Sequence, residues 1–336
     1  MWAGLPDYGA RLIRGFIESG SAEVHIVATW PTVPIQGMEQ SLGQVVHWVD
    51  TAGEISWQSL GLRVPDVLFQ GGWAQASFRT LAAEARLHGA KVILMNDQNW
   101  QGGLKHLAVD PVLYRAKYLK QFEAAFVPGL SGARYARAMG FQSSRIAAGL
   151  YGADPAVFHG GSDLMLRPKS FLFVGQLIAR KNILLLVQAF LNMAVDFPDW
   201  KLSICGSGEL RTKIPNHWQV QVQGFVQPGE LAEKLRQSRC LILPSLEEHW
   251  GLVVHEAASC GCALALSDTV GSRDDFVAET FNPRDVKSIE DVLRRIASWS
   301  DEQWTKAEDA SRLAALKFGP TEFANSVQLL IDGILQ

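Results

Sequence analysis

No stretch of this chain approaches the ~18 consecutive apolar residues that a membrane-spanning helix needs. The longest candidate, Gly251 to Leu266, is interrupted by His255 and Glu256. The start has no basic segment followed by an apolar one, so nothing marks the chain for export and a cytoplasmic location is expected. An excess of one charge is missing too: 31 Lys and Arg face 34 Asp and Glu, a net charge of -3. That balance excludes the electrostatic footprint of a nucleic-acid binder, so no nucleic-acid partner is expected. Cysteine is scarce, with Cys205, Cys240, Cys260 and Cys262 all in the second half on or beside apolar segments. They read as buried thiols in a reducing compartment. Cys260-Gly261-Cys262 lacks the second Cys or His pair of a zinc site. No Asp-x-Asp cluster is present to hold a divalent ion, so no metal and no cofactor are expected.

What is present is length and apolar content. With 336 residues, 48% of them hydrophobic, the chain exceeds the roughly 150 residues of a typical domain and has enough core for two. The first 150 residues carry 13 basic and 11 acidic groups, the remainder 18 and 23. The mildly basic half, with Arg115, Lys117 and Lys120 together on an expected helix, suits either a solvated face or peripheral contact with the inner face of a membrane.

Short apolar runs alternate with longer amphipathic stretches, the pattern of an α/β chain with parallel strands and crossover helices. Strands are expected at Glu23 to Ala28, Val67 to Phe69, Lys91 to Met95 and Ala124 to Val127, then at Phe171 to Val174, Lys201 to Cys205, Val220 to Gln223, Cys240 to Leu243 and Ala263 to Leu266. Helices are expected between them, Leu252 to Ser259 among them. Asp154 to Pro168, rich in Pro, Gly and Asp, is the expected linker. This sets domain boundaries at 1–160 and 161–319, with the last helix, about 320–336, packing back on the first domain. The chain opens directly on a Gly4-to-Gly9 turn and a helix, so the first strand of the N-terminal sheet is missing. An open slot is expected there, with the natural start upstream or the first domain impaired.

The densest segment is CLILPSLEEHWGLVVHEAASCGCALALSD, Cys240 to Asp268. A strand ends at Pro244-Ser245, a polar loop carries Glu248, and Gly251 opens a helix bearing Glu256. Open α/β sheets bind ligands at such carboxyl ends. Unpaired first-turn amides at Gly251, Leu252 and Val253 can cradle a phosphate, and glycine at 251 admits a ligand close to the backbone. Carboxylates cannot hold that phosphate. Their partners are hydroxyls, one on a ribose and the other on a sugar ring.

This Glu, seven residues, Glu spacing inside Pro-Ser-x-x-Glu-x-aromatic-Gly-Leu-x-x-x-Glu-Ala resembles the retaining glycosyltransferases of family 4. The resemblance continues upstream through FLFVGQLIARKNILLLVQAF. It implies a GT-B fold of two Rossmann-like domains facing across a cleft, metal-independent hexosyl transfer with retention from a nucleotide-diphosphate sugar, and a role in glycan biosynthesis. Lys181 matches the family's lysine on the donor diphosphate, Gln176 stands where many members carry arginine, and Arg180 can supply the lost charge. Glu256 is implied on the ribose and Glu248 at the sugar end, which makes Lys181 and Glu248 the catalytic pair. Gly206 and Gly208 fit the turn after a strand, Phe225 and Val226 the segment along the base, and Gly4 the glycine turn near the phosphates.

On the acceptor side the family's histidine is replaced by Gln70. Asp97, Trp100, Lys105 and His106 follow a strand and can line that side. The expected acceptor is a glycan, a lipid-linked group or a small molecule. A sugar-nucleotide epimerase of the same fold and a catalytically silent nucleotide-sugar-binding protein are the alternatives.

Overall fold

A computed structural model describes residues 1–31, 38–50, 55–99 and 110–335. The chain forms two compact units, Met1–Gly152 with Phe318–Gln336, and Ala153–Lys317.

In the first unit, four parallel strands lie in the order β3 (Val67–Gly71), β4 (Lys91–Met95), β5 (Ala124–Val127) and β6 (Ile146–Ala148), and β1 (Ile26–Ala28) pairs with β2 (Val46–Trp48). Both faces of the sheet are buried, as parallel sheets require. Leu68, Val92, Leu94, Ala125 and Val127 enter one core with the helices α3 (Ala76–Leu87) and α5 (Leu130–Ala138). Their neighbours Ile93, Met95, Ala124 and Phe126 alternate into another, with α1 (Asp7–Glu18) and the last helix, α11 (Pro320–Leu335). That period of two is the signature of strands. The return of α11 to this unit is visible in Phe323 against Phe126, ring centroids 5.3 Å apart.

The expected open slot is corrected. Met1 and Trp2 lie between β1 and β3: Trp2 bridges Ala28 in parallel, its amide donates to Val27 O at 3.0 Å, and Gly71 N donates to Met1 O at 2.9 Å. Two residues suffice to satisfy backbone groups on both flanking strands.

The second unit holds a six-stranded parallel sheet. Its strands are β7 (Ser170–Val174), β8 (Lys201–Cys205), β9 (Val220–Gly224), β10 (Cys240–Leu243), β11 (Ala263–Ser267) and β12 (Glu279–Phe281), ordered 12-11-10-7-8-9. The helices α6 (Ile183–Ala194), α7 (Pro228–Arg236), α8 (Leu252–Ser259), α9 (Val286–Ala297) and α10 (Asp301–Ala315) accompany it. Its core includes Phe171 stacked on Trp200 at 4.5 Å. The four cysteines are free and buried, and burial pushes the Cys205 and Cys262 thiols up to about 11 and Cys260 to about 12.

Residues 154–168 are not a free linker. Arg236 Nη1 donates to Val157 O at 3.1 Å, and the buried Arg167 donates to Ser238 O at 3.1 Å and Cys260 O at 2.8 Å. The units therefore divide at 152/153 and 317/318. The glycine and proline content that reads as linker belongs to a segment strapped to the second unit by Arg236 and by the buried Arg167, whose charge demands such partners.

Candidate functional site

The strand order of the second unit locates its binding edge. The chain leaves β7 towards β8 on one side, while β10 flanks β7 on the other. The carboxyl ends of β7 and β10 therefore bracket the topological switch point, where open α/β sheets take ligands.

The loop after β7 carries the cation. It turns at Gly175 and passes through a short 3-10 turn, Ala179–Lys181, to Asn182. Asn182 has a left-handed backbone (φ 57°) and is the N-cap residue of α6; its side-chain Nδ2 donates to Pro283 O at 2.6 Å. Among the described residues it is the non-glycine residue with positive φ, a conformation Asn tolerates better than most. This turn sends the Lys181 stem back over Gly175, where a Cβ would stand 3.7 Å from Lys181 Cδ and Cε.

The loop after β10 carries the carboxylate. Lys181 Nζ forms an ion pair with Glu248 Oε2, and each side chain is 12% exposed. Ser245 Oγ donates to the same oxygen at 3.1 Å. Two residues 67 apart in sequence thus meet over the switch point. Arg180 fixes this loop from beneath, its guanidinium donating to Glu247 O at 2.7 Å and its own carbonyl accepting from Leu246 N at 2.8 Å. Arg180 is engaged on the loop backbone, where it sets the position of Glu248.

Gly251 then opens α8 with φ 82° and ψ 73°. A Cβ there would sit 3.2 Å from both Glu248 Cγ and Leu243 Cδ2, so the residue is constrained by space as well as by φ. The Val254 amide turns back to Gly251 O at 2.9 Å. The amides of Leu252 and Val253 head the helix with no carbonyl one turn before them, a ready anion site. Glu256 lies half-buried on the second turn.

Gly206 and Gly208 are demanded by contact. A Cβ on Gly206 would fall 1.8 Å from Gly175 O, and one on Gly208 would fall 2.4 Å from Leu177 O. Gly175 N to Cys205 O (3.0 Å), Gly206 N to Gly224 O (2.6 Å) and Leu177 N to Ser207 O (2.8 Å) zip the ends of β7, β8 and β9 into one rim. Phe225, 43% exposed, and Val226 follow on that rim.

His255, beside Glu256, has a role the sequence did not suggest. Its Nδ1 accepts from Ala153 N at 2.8 Å and its Nε2 faces Ala315 O at 3.0 Å. Because Nδ1 receives a proton, Nε2 must carry one, which fixes the neutral tautomer. Burial lowers its pKa from 6.5 to about 4. The imidazole ties α8 to the first residue of the second unit and to the end of α10.

Gly4, Gln70 and Asp97 belong to the first unit. Gly4 (φ 61°) donates its amide to Thr29 Oγ1 at 2.7 Å. Gln70 is buried and donates to Gly72 O at 2.9 Å. Asp97 accepts from Tyr151 Oη at 3.0 Å. Burial first, then Tyr8 and Asp97, push the Tyr151 phenol well up, so it stays a donor. Asp97 and Tyr151 line a cavity of 240 Å³ with Trp2, Gly71, Gly72 and Met95. Trp100, Lys105 and His106 lie outside the described residues.

The sequence reading missed Gly175, Asn182, Ser245 and Tyr151. Asn182 had a visible signal, an Asn directly before a helix. The others reveal themselves only through their contacts. Among the described residues no group of His, Cys, Asp and Glu is placed to hold a metal ion, and no helix is long and apolar enough to cross a membrane.

Residues 161–315 match the family described as Glycosyl transferases group 1. An uncharacterized glycosyltransferase of Methanocaldococcus jannaschii is 28% identical over 142 residues, 39% of this chain and 36% of that protein. One of Haemophilus influenzae is 26% identical over 167 residues, 46% of each. The alignments thus span between about a third and a half of these relatives' length. Among solved structures, the Anabaena protein HepE in complex with UDP and glucose superposes with a TM-score of 0.72 at 11% identity, covering 98% of both chains. A glycosyltransferase from Rickettsia africae superposes with a TM-score of 0.73 at 10% identity, covering 100% of this chain and 98% of that one. The fold is GT-B.

Proposed function

We propose that the chain is a retaining, metal-independent glycosyltransferase of family 4 type that takes a hexosyl group from a nucleotide-diphosphate sugar and passes it to a glycan, lipid-linked or small-molecule acceptor. The observation that carries this reading is the convergence of Lys181 and Glu248 over the switch point, with the first-turn amides of α8 beside them. The HepE relative, solved with UDP and glucose, supports a UDP-sugar as the first donor to try.

In this reading the diphosphate takes the Lys181 ammonium away from Glu248 and rests on the Leu252 and Val253 amides. The ribose hydroxyls meet Glu256, the base lies along Phe225 and Val226, and Gly206 and Gly208 keep the rim flat enough for the nucleotide. Glu248, released from the ion pair, accepts hydroxyls of the transferred sugar. As the bond from the anomeric carbon to phosphate breaks, negative charge grows on the diphosphate. Fixed positive groups stabilise it with no reorganisation, and the loss of one such donor costs about 3 kcal/mol of barrier. Transfer needs no cofactor, and the balance of charge supports a cytoplasmic enzyme whose basic first half can rest on the inner face of a membrane.

A thermal-shift screen of UDP-, GDP- and ADP-sugars, coupled to an assay for donor hydrolysis, tests the proposal. One nucleotide sugar should raise the melting point, because a ligand that binds only the folded state stabilises it, and the same sugar should be released slowly in water. Binding without release would favour the silent binding protein, whose motive is Gln176 and Gln70 at positions where relatives carry charged or ionisable groups. Conversion of the donor to its epimer would favour the epimerase.

A further inference from the structure

The first unit carries an aromatic surface that the donor reading does not use. Trp30 follows β1 and Trp48 ends β2, and their indoles stack face to face, centroids 4.0 Å apart and 11° from parallel. Trp30 is 60% exposed although Trp48 covers one face of its ring. Tryptophan is usually well covered because of its apolar area. An exposed stacked pair at the carboxyl edge of a parallel sheet is a flat, rigid, electron-rich platform.

The backbone leading to the platform is bonded to the segment that lines the cavity of Asp97 and Tyr151. The segment after Met1 lines that cavity through Trp2 and Ala3. The same segment is bound to the strand leading to Trp30, with Thr29 N to Trp2 O at 3.2 Å and Leu5 N to Thr29 O at 3.2 Å. A Cβ on Gly4 would come 3.8 Å from Trp30 O. At 240 Å³ the cavity is below the ~300–1,000 Å³ of pockets for drug-sized ligands, which suits one ring-sized group.

We propose that the Trp30–Trp48 platform and the Asp97–Tyr151 cavity form a carbohydrate-binding subsite, so that the acceptor is a saccharide. The chemistry selects this occupant. The C–H face of a pyranose is weakly positive and flat, a match for the negative face of an indole. Its equatorial hydroxyls are donors, and Asp97, already oriented by Tyr151, is an acceptor of several hydrogen bonds. Exposed Asp50, two residues beyond Trp48, opposes an anionic ligand. A lipid tail would want a long apolar furrow, whereas this is one ring's width of aromatic surface flanked by polar groups.

The inference rests on the transferase reading for its acceptor role, and the test separates the two. The full chain is titrated with methyl β-glucoside, methyl α-mannoside, N-acetylglucosamine and lactose. Saturation-transfer NMR reports which protons contact the protein, and a parallel titration with UDP-glucose reports the donor site. At least one glycoside should bind with its ring C–H protons most strongly saturated. Trp30→Ala should weaken it by about tenfold, as loss of a central tryptophan contact does. Trp30→Phe should lose about threefold or less, and both variants should melt with the parent and bind UDP-glucose equally. No binding by any glycoside, full binding by Trp30→Ala, or a binding by octyl glucoside that Trp30→Ala abolishes while methyl glucoside never binds would each overturn the proposal. Glycoside binding without any donor binding would keep the platform and remove the transferase.

Discussion

The two units present the carboxyl edges of two parallel sheets, and their chemistry differs. In the second unit the edge is charged and crowded: a lysine–glutamate pair, a helix start, and glycines with no room for a methyl group. In the first it is aromatic and hydroxylic: Trp30 on Trp48, and Tyr151 on Asp97 beside a small cavity. One architecture therefore presents two chemistries. Growing negative charge needs fixed positive groups held by rigid backbone, whereas neutral hydroxylated surface needs flat π faces and acceptors.

Crowding at the edge of the second unit is greatest at Gly206. Gly206→Ala would place a methyl group against Gly175 O and should cost about 3 kcal/mol or more of stability, measured by denaturant unfolding. A near-neutral change would mean that the rim is looser than described. Lys181→Ala should lower turnover by about a hundredfold or more with the melting point little changed, since its loss removes charge stabilisation and leaves the fold. A near-normal rate would take Lys181 out of the chemistry.

His255 yields a pH signature confined to the second unit. Its imidazole is held neutral by burial, with a pKa of about 4 against 6.5 for an exposed imidazole. The unfolded chain therefore binds this proton first as pH falls, so stability is complete above about pH 7 and drops between pH 6.5 and 4 by up to about 3 kcal/mol. Unfolding midpoints across that range should show the slope, and His255→Gln should flatten it. Equal slopes in both proteins would remove His255 from the acid response. The smallest effect belongs to the first unit: Tyr151→Phe should cost about 1–2 kcal/mol by removing the phenol's hydrogen bonds, that to Asp97 among them, and leave nucleotide affinity unchanged. A change in nucleotide affinity would blur the division between the edges.

Much of the second unit was legible in the sequence because its strands are continuous apolar runs. Lys201 to Cys205 and Cys240 to Leu243 have the boundaries that composition predicts. The helix α10 was not foreseen. Its residues DEQWTKAEDASRLAA are mostly polar, and it is anchored by the buried Trp304. The available signal was the capping box of Ser300 and Gln303. The three-residue strands β2 and β12 are too short for periodicity to show. In the first unit the slot was expected but its closure was not, because Met1 and Trp2 fill it through backbone bonds that leave no pattern in side chains. At the site, the residue types and their order were readable, yet the pairing of Lys181 with Glu248 and the clasp of His255 on Ala153 and Ala315 were not. Each joins positions distant in sequence that only the strand order brings together.

In the proposed reading the carboxyl edge of the second unit is a donor pocket with separate places for ribose and sugar. Calorimetric titration of Glu248→Ala and Glu256→Ala, with the free nucleoside diphosphate and with its sugar conjugate, tests it most directly. Glu256→Ala should weaken both ligands alike, whereas Glu248→Ala should bind the free nucleotide as the parent does and lose affinity for the conjugate. Equal loss of free-nucleotide affinity in both variants would contradict the account.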